Sequence, residues 1–384
     1  MPQEQDTVAG VPDPAFEVKE PIDYVNPLES SSRWYLYMRA QAIRQAASLG
    51  FSIANRTEPA APVPTKTLWL NSTISKYSGK ERIKVDVWSP PRLSVGPRPA
   101  VINFHGGGWI LGSGTDDARW AAACLTSLDA VVFSVNYRLA PSYPFPTPVE
   151  DCVDAVIQLA GRATEFGIDP NQIILSGFSA GATNAIGSWV VMQEPQRWDY
   201  NLPESRPTIA GLVLYYPVLD WTITRPEKRK TCKKPERTIS PALTDLIDAS
   251  YVYPPIPRRE CSDWRLSPGL MDDDTLKKLP PVHLCLCEYD MLLHEGIRFG
   301  QRLEAADKKV SVRIVKEEPH AWDKPPPVWE MKESASVEYT EATQVIADWL
   351  GKVHDTDKDS TSSMKTKRLT LRRLGSAMSS RSAQ

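Results

Sequence analysis

The sequence predicts an α/β protein with a mostly parallel central sheet flanked by helices. Three observations carry this. From residue 99 onward, short β-rich runs alternate with helical stretches, the pattern of a parallel sheet covered on both sides. Several of those runs are nearly continuous in apolar character, as strands buried on both faces require. Finally, Gly177-Phe-Ser-Ala-Gly181 falls between one such run and a helix-forming segment, so it stands in a strand–turn–helix context.

The elements follow in order. Residues 1–30 are rich in proline and acid and lack periodicity, so they read as an arm. Trp34–Ile53 places Trp34, Met38, Ala42, Ala46, Leu49 and Ile53 at helical spacing, and the cluster Pro59–Pro64 ends it. Thr67–Ile74 and Ile83–Trp88 alternate β-branched or aromatic residues with polar ones. Core strands are then expected at Ala100–Phe104, Ala130–Val135, Gln172–Ser176, Ile209–Tyr216, Val282–Cys287 and Val310–Val315. Helices are expected at Ala118–Leu128, Val149–Thr164, Ala180–Gln193, Gly296–Ala306 and Ser334–Lys352. Thr222–Ser267 breaks the alternation, and so long an irregular stretch reads as a functional loop or insertion. No internal repeat is visible.

Composition bounds the function. The chain has 384 residues, 41% hydrophobic and 24% charged, ordinary for a globular protein able to bury a large core. Its 34 prolines, about 9% where about 5% is usual, imply many fixed turns and long connections. The formal net charge of −2 argues against a nucleic-acid binder. That mild total is a cancellation. Residues 364–384 hold Lys365, Lys367, Arg368, Arg372, Arg373 and Arg381 with no acid, and the stretch Arg225–Arg237 sets seven cations against Glu227 and Glu236. Such basic segments offer peripheral contact with an anionic membrane, against the plainer reading of a solvated loop and a tail. The amino terminus has neither a basic nor an apolar leader region, and no 18-residue apolar stretch occurs, so a cytoplasmic protein is expected. Asn55-Arg-Thr57 and Asn71-Ser-Thr73 fit the glycosylation pattern by chance on this reading. The cysteines at 124, 152, 232, 261, 285 and 287 have no framework spacing and read as small buried hydrophobes of a reducing compartment.

The chemistry should lie at Ser179. Flanking glycines let a strained turn close and thrust its hydroxyl into the open, with a helix N-terminus behind it to meet an oxyanion. His105-Gly-Gly-Gly-Trp109 directly follows the strand Ala100–Phe104, and three glycines leave backbone N–H groups unshielded toward a bound oxygen. A serine needs a base and the base an orienting acid. Of five histidines, His283 lies in an apolar strand and His354 lies past the last helix. His320 follows the final strand, where a base can reach the top edge of the sheet. Asp290, after Val282–Cys287, is the candidate acid, with Asp220 as competitor. Trp34, Tyr35, Trp109, Phe178 and Trp322 are aromatic candidates for the substrate pocket.

In this combination and order the sequence resembles the hormone-sensitive-lipase-like branch of the α/β-hydrolases. The matching pieces are His105-Gly106-Gly107-Gly108-Trp109, Tyr137-Arg-Leu-Ala-Pro141 with Pro144-Phe-Pro146, Gly167-Ile-Asp-Pro170, Ser179-Ala-Gly181, Leu279-Pro-Pro281, Asp290-Met-Leu-Leu-His-Glu-Gly296 and His320. They cover roughly residues 85–350. The resemblance implies an α/β-hydrolase fold and serine-dependent hydrolysis of a small-molecule carboxylic ester, with short to medium acyl chains as the default and neither metal nor organic cofactor. It assigns Ser179 as nucleophile, Asp290 as orienting acid and His320 as base, with the amides of Gly107, Gly108 and Ala180 as oxyanion donors. It also implies a helical cap from the amino-terminal segment and the insertion. The expected division is an arm and cap helix over 1–65, a catalytic domain over 66–353 with the insertion at about 222–268, and a basic tail over 354–384. Two positions depart from the family pattern: Phe178 stands where an acid is usual, with Ala182 for the last glycine, and Asn136 stands where Asp is usual. One rearranged hydrogen-bond network could join the two lost acids. The same triad would also serve amide, lactone or acyl-transfer chemistry. A non-catalytic ligand binder on this fold is the rival class, and there the resemblance implies loss of the base that His320 supplies.

Overall fold

The computed structural model describes residues 24–57, 61–77, 81–92, 94–324 and 332–351, the stretch 51–57 by its backbone alone. The arm before residue 24, the tail after 351 and His354 lie outside that range. In chain order the elements are α1 (Arg33–Thr57), β1 (Lys66–Asn71), β2 (Arg82–Trp88), β3 (Arg98–Phe104), α2 (Ala118–Leu128), β4 (Val131–Asn136), α3 (Thr147–Gly161), α4 (Ala163–Phe166) and β5 (Ile168–Phe178). There follow α5 (Ala180–Gln193), β6 (Ile209–Tyr215), α6 (Arg225–Thr231), α7 (Pro241–Tyr251), α8 (Asp273–Leu276), β7 (Val282–Tyr289), α9 (Leu293–Ala305), β8 (Val310–Pro319) and α10 (Glu333–Trp349). The eight strands form one sheet in the order β1-β2-β4-β3-β5-β6-β7-β8. β2 runs antiparallel to β1 and β4, and the remaining neighbours pair in parallel.

Parallel pairing gathers the carboxyl ends of distant strands. Phe104 pairs with Gly177, Phe178 with Tyr215, Tyr215 with Cys285, and Tyr289 with Pro319. The residues that follow β3, β5, β7 and β8 therefore share one edge of the sheet, where α/β folds place their sites. The inner strands β2 to β7 are largely buried, with Val101, Ile102, Ile174, Leu175, Val213 and Leu284 fully inaccessible, because helices cover both faces, while the edge strands β1 and β8 are largely half-buried or exposed.

Two expectations need correction. The stretch Thr222–Ser267, irregular by its pattern, holds α6 and α7, in line with the helical cap that the resemblance implies. Its basic run is only partly solvated. Arg225 is buried and bonds Asp248 with Nε at 3.0 Å and Nη2 at 2.9 Å, while Lys228 is buried 2.5 Å from Glu295 Oε2. In α1, the stripe Trp34, Met38 and Leu49 faces outward, and the inward side is Leu36 and Ala40. The reason is that α1 is docked by its arginines as well as its apolar residues. Arg44 donates to the carbonyls of Ile110 at 2.6 Å and Ala140 at 2.7 Å, and Arg33 Nε to that of Pro141 at 2.7 Å. α1 packs on α7, and the preceding turn is tied there by Tyr24 Oη to Asp245 Oδ1 at 2.6 Å.

All six cysteines are free and buried. No helix among the described residues is long and apolar enough to cross a membrane. His283 is buried in β7, with Nδ1 3.1 Å from Ser311 Oγ and Nε2 without a partner among the described residues. Burial, with Arg313 nearby, drives its imidazole down to about 3 from the ordinary 6.5. The unfolded chain thus takes up a proton below about pH 6.5 that the fold refuses, and stability is lost as pH falls toward 3. Urea unfolding should show a declining free energy between pH 6.5 and 4, and a shallower decline in His283→Gln. Equal slopes would remove His283 from that account.

Candidate active site

Ser179 occupies the single residue between β5 and α5. Its backbone is left-handed, φ 52° and ψ −117°, a conformation that costs a non-glycine residue of the order of 1–3 kcal/mol. Two features hold it. The Ser179 N–H donates to the Tyr215 carbonyl of β6 at 2.9 Å. The first turn of α5 then presses against the end of β3, where a Cβ on Gly181 would lie 1.9 Å from the Phe104 carbonyl oxygen. Only glycine permits that approach.

The three residues expected to act together do meet. Ser179 Oγ lies 2.9 Å from His320 Nε2, and His320 Nδ1 lies 2.5 Å from Asp290 Oδ2. Asp290 is 1% exposed, and its other oxygen accepts from the Leu292 N–H at 3.1 Å and from Thr238 Oγ1 at 3.4 Å. Thr238, from the insertion, also accepts from the Met291 N–H at 3.1 Å. It therefore braces the acid from across the cleft, a contact invisible in sequence because Thr238 lies in a segment without periodicity. Asp220, the competing acid, is occupied elsewhere, 3.1 Å from Arg298 Nη2 and 2.9 Å from the Thr222 N–H.

The glycine wall lies opposite. Gly107 and Gly108 have φ of 109° and 60°, and their N–H groups donate to no protein acceptor among the described residues. His105 is a buried brace. It stacks on Tyr137 at 4.3 Å, and Tyr137 Oη donates to its carbonyl at 2.7 Å. Trp109 is buried, stacks on Tyr251 at 4.1 Å and donates Nε1 to Asn184 Oδ1 at 2.9 Å.

A cavity of about 400 Å³ opens over Ser179. Gly106 to Trp109, Phe178, Tyr216, Val218 and His320 line it from the sheet, and Thr238 to Ser240, Leu243, Thr244 and Ile247 line it from the insertion. Trp109 and Phe178 therefore belong to the wall as expected. Trp34 and Trp322 do not. Trp34 is 71% exposed, on the outward face of α1. Trp322 is buried against Tyr216 at 5.6 Å and donates Nε1 to Ser334 Oγ at 3.2 Å. Tyr35, 43% exposed on α1, is likewise absent from the wall. A tryptophan two residues beyond the base and one on the cap helix look alike in sequence to wall residues, since burial depends on which helix face docks.

The two departures from the family pattern are both accommodated. Asn136 accepts from the Gly114 N–H at 2.8 Å and donates to Asp86 Oδ2 at 2.9 Å, a contact an aspartate would make repulsive. The Phe178 ring stacks on Tyr215 at 4.5 Å and carries Lys324 Nζ 3.5 Å from its centroid. The two positions do not share a hydrogen bond. They meet only through opposite ends of the 3-10 turn Gly114–Asp117, whose last residue faces Lys324. No cluster of metal-ligating side chains occurs among the described residues.

A serine–histidine–aspartate chain beside a glycine wall, at the carboxyl edge of a mostly parallel sheet, defines an α/β-hydrolase. Residues 101–324 match the α/β hydrolase fold family, and the chain belongs to it, in the hormone-sensitive-lipase-like branch. It is 29% identical over 230 residues to esterase LipI of Mycobacterium tuberculosis, covering 59% of this chain and 66% of that protein, just under two thirds of its length. It is 32% identical over 242 residues to carboxylesterase NlhH of the same species, covering 62% and 70%. An esterase structure from Pyrobaculum calidifontis shares the fold with a TM-score of 0.64 over 82% of this chain and 92% of that one, at 23% identity.

Gly107 offers a clean test of the wall. A Cβ there would combine φ 109° with a 2.2 Å approach to the Leu111 carbonyl oxygen. Gly107→Ala should lower kcat by about 100-fold or more through displaced amides, read with any ester the wild type turns over. A variant of wild-type kcat would show that this amide takes no part.

Proposed function

We propose that the protein hydrolyses carboxylic esters of short to medium acyl chain through a Ser179–His320–Asp290 triad and an acyl-enzyme. The observation that carries this is the unbroken chain from Ser179 Oγ to His320 Nε2 at 2.9 Å and from Nδ1 to Asp290 Oδ2 at 2.5 Å. With its proton on Nδ1 and bonded to Asp290, the imidazole offers Nε2 as acceptor to the Ser179 hydroxyl. Attack of Oγ on the ester carbonyl passes the hydroxyl proton to Nε2 and makes a tetrahedral oxyanion. On this reading the amides of Gly107, Gly108 and Ala180 receive that charge, and one such donor is worth about 3–4 kcal/mol of barrier. His320 then returns the proton to the leaving alkoxide. A water deprotonated by the same nitrogen attacks the acyl-enzyme and frees the acid.

The apolar part of the wall, from Val218, Leu243 and Ile247 to Trp109, supports an acyl group held by burial rather than by hydrogen bonds. Its volume of about 400 Å³ supports chains from acetyl to medium length. The free, buried cysteines support a reducing, cytoplasmic setting.

A panel of p-nitrophenyl esters from acetate to palmitate, run on wild type beside Ser179→Ala, tests both halves. Wild type should be fastest among the short and medium esters, and Ser179→Ala should lose at least about 1000-fold in kcat. Equal rates in the two proteins would overturn the nucleophile, and a maximum at palmitate would overturn the chain length.

A further inference from the structure

The acid-to-aromatic change at Phe178 has a counterpart in the loop that carries the base. Lys324 follows His320 by four residues, and its Nζ sits over the Phe178 ring, 3.5 Å from the centroid. The same ammonium is 2.8 Å from Asp117 Oδ1 and 2.7 Å from Asp323 Oδ2. Each of these partners is anchored in turn. Asp117 Oδ2 accepts from Asn103 Nδ2 of β3 at 2.7 Å. Asp323 accepts from Tyr216 Oη at 2.5 Å and from Tyr339 Oη of α10 at 2.6 Å. Tyr216 meets the His320 ring edge to face, with centroids 4.7 Å apart.

Burial pulls a lysine down, but Asp117 and Asp323 outweigh it here and hold Lys324 above its ordinary value, so the group is a cation. Burying that cation is tolerable only because two carboxylates and a ring face share it. A pair serving stability alone could lie anywhere in the core. This one touches the residue before Ser179, the turn that follows the glycine wall, and the loop of the base.

We propose that Lys324 is a positioning residue for ester hydrolysis: it ties the His320 loop to the nucleophile elbow and to the turn behind the oxyanion wall. It lines the cavity over Ser179, and the contacts of its ammonium are with Asp117, Asp323, Tyr339 and the Phe178 ring rather than with Ser179 or His320. Its effect is to keep three separately carried groups in one geometry, where a displacement of about 1 Å costs on the order of 100-fold in rate. The inference rests on the serine-hydrolase reading above.

The test measures kcat and KM on p-nitrophenyl butyrate, with the melting temperature, for wild type, Lys324→Met, Lys324→Arg and Asp323→Asn. Lys324→Met should lose roughly 10- to 100-fold in kcat with KM within about twofold, well below its melting temperature. Lys324→Arg should recover most of the loss, since a cation and its reach are restored. Asp323→Asn, which keeps the volume, should fall in the same direction by less, and it carries the test should Lys324→Met fail to fold. A wild-type kcat in folded Lys324→Met, an arginine variant no faster than the methionine one, or a wild-type kcat in Asp323→Asn would each overturn the proposal. These outcomes are distinct from failure of the hydrolase reading, in which wild type itself would show no turnover dependent on Ser179.

Discussion

Everything at the site depends on the left-handed turn at Ser179. The residue holds φ 52° without a glycine's freedom, and the cost is met by packing on three sides. The N–H bond to Tyr215 fixes the turn to β6, the contact between Gly181 and Phe104 fixes it to β3, and α5 is buried against α3 and the sheet. Relaxed to a helical or extended backbone, the hydroxyl would leave the line to His320 Nε2. The acid and base come from chain segments more than a hundred residues away, so the sheet register that brings β5, β7 and β8 level is the second requirement.

Around this turn the molecule buries several charges beside partners of opposite sign. Asp248 bonds Arg225 and accepts from Arg258 Nη2 at 2.9 Å, and the two arginines hold its carboxyl below the ordinary range against the opposing effect of burial. Lys228 and Glu295 pair at 2.5 Å, with Glu295 Oε1 accepting from the Leu219 N–H at 2.9 Å. The Asp248 pairs hold the insertion together, and the Lys228–Glu295 pair fastens it to α9. Desolvation makes such pairs weak contributors to net stability, but breaking one leaves a buried charge unanswered, so they specify where the insertion sits. Thr238, which braces Asp290, is placed by that fastening.

Much of this was legible in the sequence. Hydrophobic alternation located every strand to within a few residues, and α2 and α5 fall at the expected limits, because parallel strands covered on both faces leave a strong apolar signal. Glycine spacing and strand ends located Ser179, the wall, Asp290 and His320. Side-chain direction was not legible. The periodicity of α1 gave a stripe but not which stripe docks, and Arg33 and Arg44 turned the opposite face inward. The basic run in the insertion looked solvated because its carboxylate partners, Asp248 and Glu295, lie 23 and 67 residues further on. Lys324 gave no sequence signal at all, since its meaning lies in Phe178 and Asp117, brought to it only by the sheet.

The central claim is that Ser179 is an activated nucleophile. Labelling with a fluorophosphonate probe, followed by mass spectrometry of the peptide containing residue 179, measures this directly. The adduct should map to Ser179 in wild type, and its rate of formation should fall by at least about 1000-fold in His320→Gln. An unlabelled Ser179 in folded wild-type protein, or a labelling rate unchanged by the loss of His320, would contradict it.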